Sequence, residues 1–164
     1  MDVAKIIDRL KLISHPEGGY FRETYRAAES IPASGLPARF GAARSISTTI
    51  YYLLEAGQCS RIHRLKSDEG WHFYAGDPLI IVEIGPDGAL RETRLGSALD
   101  GSTTFQHLVP QGAWFGATPA SGGRFSLVGA TVAPGFDFAD LAMGDRAALL
   151  AEYPAHQDWI RRLT

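Results

Sequence analysis

The sequence predicts an all-β fold, and three observations lead to it. Between Arg44 and Val132 the chain is a succession of short β-branched and aromatic stretches. Turn signals rich in Gly, Pro and Asp separate them. Helical periodicity is confined to the two ends, so the strand–helix alternation of a doubly wound sheet is missing. Many short strands at this spacing make a closed sandwich or barrel.

At the N-terminus, Val3, Ile6, Ile7, Leu10 and Ile13 recur at helical spacing, with Asp2 placed as N-cap, so residues 3–13 are expected to form an amphipathic helix. His15-Pro16-Glu17-Gly18-Gly19 ends it, because the proline disfavours helix before it and the glycines permit a turn. Residues 20–26 (YFRETYR) mix apolar and charged side chains, as an edge strand does. Residues 28–43 hold two prolines, two glycines and two serines without period, and read as a long loop.

Strands are expected at 45–54, 61–65, 71–75, 79–84, 90–95, 104–109, 113–117 and 124–132. Helical spacing returns over Arg146–Glu152 and again after Pro154, through Trp159, Ile160 and Leu163. Helices at both ends would pack outside the β-body.

The bulk properties narrow the function. A chain of 164 residues that is 45% hydrophobic and 21% charged suits one globular domain over residues 1–164. With a net charge of −2 and no basic run beyond pairs, it has no electrostatic footprint for nucleic acid or an anionic membrane. Charges at Asp2, Lys5, Asp8, Arg9 and Lys11 break any signal-peptide core, and no apolar run approaches the roughly 20 residues of a membrane helix. Cys59 stands alone, so no intrachain disulfide forms. A cytoplasmic protein is expected.

The densest polar run is Gly57–Gly76, with Arg61, His63, Arg64, Lys66, Asp68, Glu69 and His72 set among strand-forming residues. Polar side chains facing a barrel interior make a pocket. The run resembles the first motif of the cupins: Gly57, five residues, His63, then Glu69 and, after six intervening residues, Gly76. Leu65 stands where cupins carry a second histidine. Pro110-Gln111-Gly112 resembles the second motif, with Phe115 at its histidine position. Residues 15–26, 63–79, 108–117 and 131–138 together are similar to a largely uncharacterised branch of the cupin superfamily. The resemblance implies a double-stranded β-helix (jelly roll), commonly a homodimer, and no particular reaction.

In metal-bearing cupins the corresponding four positions hold the ion. Here they are His63, Leu65, Glu69 and Phe115, and two of them offer no lone pair. His72 lies three residues from Glu69, on the opposite face of a regular strand. No metal or other cofactor is therefore expected.

His63 and Glu69 are left as the catalytic candidates, the imidazole as a general base near neutral pH and the carboxylate as its partner. Jelly-roll epimerases of keto-deoxy sugar nucleotides use such a base with a tyrosine on the other face, an analogy of fold. Tyr51, Tyr52 and Tyr74 are the candidate acids. Arg61, Leu65, Trp71, Phe115, Phe136 and Phe138 are the candidate lining of a small-molecule pocket. The leading expectation is metal-independent isomerase or epimerase-type chemistry on a sugar-like substrate. A non-catalytic ligand-binding jelly roll and a metal-dependent cupin are the alternatives.

Overall fold

The computed structural model describes residues 2–164. The strands are β1 (Ile13–Ser14), β2 (Tyr20–Arg26), β3 (Ser30–Ile31), β4 (Arg44–Ser45), β5 (Thr48–Glu55), β6 (Ser60–Leu65) and β7 (Asp68–Gly76). After them come β8 (Leu79–Ile84), β9 (Leu90–Leu95), β10 (Gln106–Val109), β11 (Trp114–Pro119), β12 (Phe125–Ala133) and β13 (Leu141–Met143). The α-helices are α1 (Val3–Leu10), α2 (Arg146–Glu152) and α3 (Gln157–Arg162).

Two antiparallel sheets face each other. One runs β1-β2-β5-β12-β7-β10 and the other β13-β6-β11-β8-β9; β3 and β4 form a separate pair. This is the jelly roll expected from the sequence. Tyr52, Leu54, Trp71, Val128 and Val132 of the first sheet meet Leu65, Leu79, Ile81, Phe115 and Ala117 of the second in one buried cluster.

The helices cover the outer faces. Ile6 of α1 joins Leu12, Leu53 and Phe125, whereas Leu149, Ile160 and Leu163 pack on Ile62, Val82 and Ile84. That second layer explains why residues 79–84 are apolar on both faces, Glu83 excepted, rather than alternating: Leu79 and Ile81 face the interior, Val82 and Ile84 the helices.

Asp2 caps α1 as expected, its side chain accepting from the Ala4 N–H at 3.1 Å. The helix ends at Leu10, however, and Lys11 takes the left-handed conformation, so Ile13 begins a strand instead. Residues 20–26 lie one place in from the edge, covered only by the two-residue β1. Among the described residues no helix is long and apolar enough to cross a membrane.

Two local features position the site. Pro16–Gly19 folds back onto the barrel, and only glycine suits positions 18 and 19, where φ is 111° and 69°. A side chain at Gly18 would collide with the Cys59 carbonyl, and one at Gly19 with the Leu53 carbonyl. The second is a bulge in β6. Phe115 pairs with His63 but Ala117 with Ser60, so β6 carries an extra residue there.

Candidate functional site

A cavity of about 40 Å³ opens between the sheets. Its floor is the inward face of β6 and β7: His63, Leu65, Glu69 and Trp71, all buried. Its rim is partly exposed, formed by Phe21, Ile50 and Phe136. Strand parity thus brings together four of the residues singled out in Gly57–Gly76, and Phe136 joins them from beyond β12.

The other expected lining residues lie elsewhere. Phe115 is behind the wall, its ring 4.1 Å from that of His63 and 6.4 Å from that of Trp71. Phe138 is 58% exposed and packs edge-on against Phe136 rather than into the cavity. Arg61 is turned outward, because the bulge gives the inward place to Ser60. Its guanidinium donates to the Pro16 carbonyl at 2.7 Å, and its backbone N–H to the Glu17 carbonyl at 2.9 Å. Arg61 therefore fastens the Pro16–Gly19 turn.

That turn supplies two residues that the sequence reading left outside the site, His15 and Glu17. Glu17 is only 6% exposed. Its Oε2 accepts from Ser60 Oγ at 3.1 Å and lies 3.5 Å from His63 Nδ1. Glu69 was the expected partner of His63, yet no hydrogen bond or ion pair joins them; the carboxylate beside His63 is Glu17. The available signal was a glutamate held between a proline and two glycines, a chain reversal able to press a polar side chain onto the barrel.

The hydrogen bonds assign the imidazole protons. His63 Nδ1 faces two acceptors, the Arg61 carbonyl at 2.7 Å and Glu17 Oε2, so Nδ1 bears the hydrogen and Nε2 keeps the lone pair. His15 is the reverse: its Nδ1 accepts from the Glu17 backbone N–H at 3.1 Å, which puts the neutral ring's hydrogen on Nε2. Burial lowers the His15 pKa, the Glu17 charge offsetting part of the fall. One histidine is set up as a base and the other as a donor.

Glu69 is the most perturbed carboxyl. Burial, and then repulsion from Glu17, push it up to about 8, so it is protonated at neutral pH. The Trp71 indole N–H pulls slightly the other way but closes no hydrogen bond: Glu69 Oε2 and Trp71 Nε1 are the two buried side-chain polar atoms without a partner among the described residues.

Of the three tyrosines, Tyr52 alone lines the cavity. Its hydroxyl donates to the Gly18 carbonyl at 2.6 Å, and burial raises its pKa well above the usual range. It braces the turn. Tyr51 and Tyr74 stack edge-to-face with centroids 5.8 Å apart, away from the cavity. His72 points away too, as parity requires, toward Thr131 and Gln106 at 3.1 and 3.2 Å. Cys59 is half-buried, and burial raises its thiol pKa, the opposite of activation.

A family model described as "Cupin superfamily (DUF985)" matches residues 4–144. The chain belongs to the cupin superfamily. This cupin is 38% identical to protein SO0799 from Shewanella oneidensis, whose structure superposes with a TM-score of 0.89 over 100% of this chain and 98% of that one. A hypothetical protein from Leishmania major is 34% identical, with a TM-score of 0.90 over 100% and 99%. The uncharacterized protein YML079W of Saccharomyces cerevisiae is 29% identical over 154 residues, 83% of this chain and 72% of that protein. Bacillus subtilis oxalate decarboxylase superposes at a TM-score of 0.56 with 13% identity, over 92% of this chain and 37% of that one, a likeness of fold alone.

The cupin metal set does not fit this chain. Leu65 and Phe115 at two ligand positions have no donor atom, which leaves only His63 Nε2 and Glu69 of the set of four. Among the described residues no group of three or more His, Cys, Asp or Glu is placed to hold an ion.

Proposed function

We propose that this cupin binds a small molecule in its barrel and moves a proton on it, in isomerase or epimerase-type chemistry on a sugar-like carbonyl compound. The observation that carries the reading is the pairing, in one cavity, of a base and an acid held in opposite protonation states. His63 Nε2 has its lone pair free, while Glu69 retains its proton because of burial and Glu17.

In the reaction, the proton on a carbon next to a carbonyl passes to His63 Nε2. The C–H electron pair becomes the new C=C bond, and the carbonyl oxygen gains the charge. Glu69 donates a hydrogen bond or its proton to that oxygen. Glu17, 3.5 Å from Nδ1, stabilises the imidazolium as it forms. Return of the proton from His63 to the same carbon restores the substrate, and its delivery to the former carbonyl carbon, with Glu69 exchanging the oxygen-bound protons, isomerises it. The expected cytoplasmic homodimer is carried along with this reading, which does not depend on it.

Solvent deuterium exchange into a panel of keto sugars and simpler ketones tests it. His63→Gln is expected to slow exchange at the α-carbon about 100-fold or more. Glu17→Gln, which keeps size and a hydrogen-bonding group, should cost about tenfold. Wild-type protein that binds members of the panel without exchanging them would leave the non-catalytic ligand-binding reading in its place.

A further inference from the structure

The charges around the cavity define its ligand more closely than the acid–base pair does. The titratable side chains lining it are His15 and Glu17 from the turn, Tyr52 on β5, His63 on β6 and Glu69 on β7; no lysine or arginine is among the lining residues. Arg61, which its place in the motif would aim inward, is diverted by the bulge to the Pro16 carbonyl. Lys66 lies 3.3 Å from Asp140, and Arg64 stacks over Trp114, 4.4 Å from its centroid. Arg26, on the Phe136 carbonyl at the rim, is already paired with Glu23, so a phosphate or carboxylate entering here would meet Glu17 with no free lysine or arginine to balance it, at a large desolvation cost.

The hydrogen-bonding capacity has the complementary bias. His15 presents Nε2–H, because its Nδ1 is filled by the Glu17 N–H. Glu69 stands in the cavity wall as a carboxylic acid, its buried Oε2 without a protein partner. His63 Nε2 and the Glu17 carboxylate are the accepting groups. Three donors, the unpartnered Trp71 Nε1–H included, therefore stand in the wall of a space of about 40 Å³, room for a few heavy atoms rather than a whole nucleotide. Trp71 on the floor and Phe21 and Phe136 at the rim give flat apolar walls.

We infer that the cavity takes the uncharged carbonyl end of a small molecule, its oxygen met by the Glu69 O–H and the His15 Nε2–H, and that it rejects phosphorylated, carboxylated and cationic analogues. This rests on the same cavity and the same protonation states as the proton-transfer reading. It goes further in excluding charged substrates, sugar nucleotides bound by their phosphates included.

Three probes of one skeleton test it: dihydroxyacetone (neutral), dihydroxyacetone phosphate (anionic) and aminoacetone (cationic), by saturation-transfer NMR and by deuterium exchange at pH 6 to 9.5. Dihydroxyacetone should bind at least about tenfold more tightly than either charged analogue. Its binding should weaken as pH rises through about 8, where the Glu69 O–H is lost. Glu69→Gln, whose amide still donates, should keep the binding and remove that pH dependence. His15→Phe should weaken it while leaving the fold intact by circular dichroism.

Tighter binding of aminoacetone than of dihydroxyacetone at pH 6, where its amine is protonated, would overturn the inference in favour of a cation held by Glu17. Preferred binding of the phosphate, or failure of all three probes to bind at 10 mM-scale concentrations (about 2.7 kcal/mol of affinity), would also overturn it. The two readings fail separately. Binding of dihydroxyacetone without His63-dependent exchange removes the proton transfer and keeps the ligand class. Exchange confined to the charged analogues does the opposite.

Discussion

Replacing Glu69 with Gln is expected to make the folded chain more stable than the wild type at pH 9 and nearly equal to it at pH 5. The sign follows from the direction of the shift. Glu69 titrates at about 8 when folded, against an ordinary 4.5, so the folded state holds a proton that the unfolded chain releases. Its contribution is fully present below pH 4.5 and is lost as pH rises through 8. The gap corresponds to roughly 3–5 kcal/mol. Gln resembles the protonated acid in size and polarity and carries no such loss. Urea unfolding of both proteins at pH 5, 7 and 9 measures the difference, which should widen steadily; parallel curves would refute it.

Arg44→Ala is expected to destabilise the protein by about 3–5 kcal/mol. Arg44, 5% exposed, grips Asp140 with two hydrogen bonds of 2.6 and 2.7 Å. The pair ties β4 to the start of β13, and Lys66 adds a third charge at 3.3 Å. Burial pushes the Asp140 carboxyl up, but the bonds and charge of Arg44, with those of Lys66, outweigh it and leave the pKa below the usual range. Its stabilisation is present above about pH 4 and disappears as pH falls through the folded value. Without Arg44, the buried carboxylate keeps only Lys66. The double change Arg44→Met with Asp140→Leu should recover much of the loss, since it leaves no lone charge buried. Denaturant midpoints at pH 7 decide this. A single variant within 1 kcal/mol of wild type would contradict the account.

The strands were legible because burial on one or both faces imposes a pattern on each. The stretches 79–84, 90–95 and Arg146–Glu152 have the bounds that their residues suggest. β13 was not legible: Leu141–Met143 is three residues long, too short to alternate, and it forms by pairing with β6, far away in sequence. Period-two reasoning placed His63, Leu65, Glu69 and Trp71 on one wall correctly. It misplaced Arg61, because an extra residue in β6 reverses the alternation and nothing in the local sequence announces it.

The larger omission was Glu17. Its contact with Ser60 spans 43 residues, and its burial depends on Gly18 and Gly19 adopting positive φ against β5 and β6. A sequence pattern shows that a turn exists there, but not what it is folded against. With Glu17 beside His63, Glu69 is not the carboxylate that pairs with that imidazole. The Gly57–Gly76 stretch is thus one wall of a site whose other half comes from residues 15–21.

The protonation of Glu69 at neutral pH is the claim on which this account turns. Carbon-13 NMR of side-chain carboxyls, in protein labelled at the Glu δ-carbon, reads it directly. One resonance should titrate near pH 8 and be missing from Glu69→Gln, with the others unaffected. A Glu69 signal that titrates below pH 6 would make it an ordinary carboxylate, and the acid–base pairing with His63 would not stand.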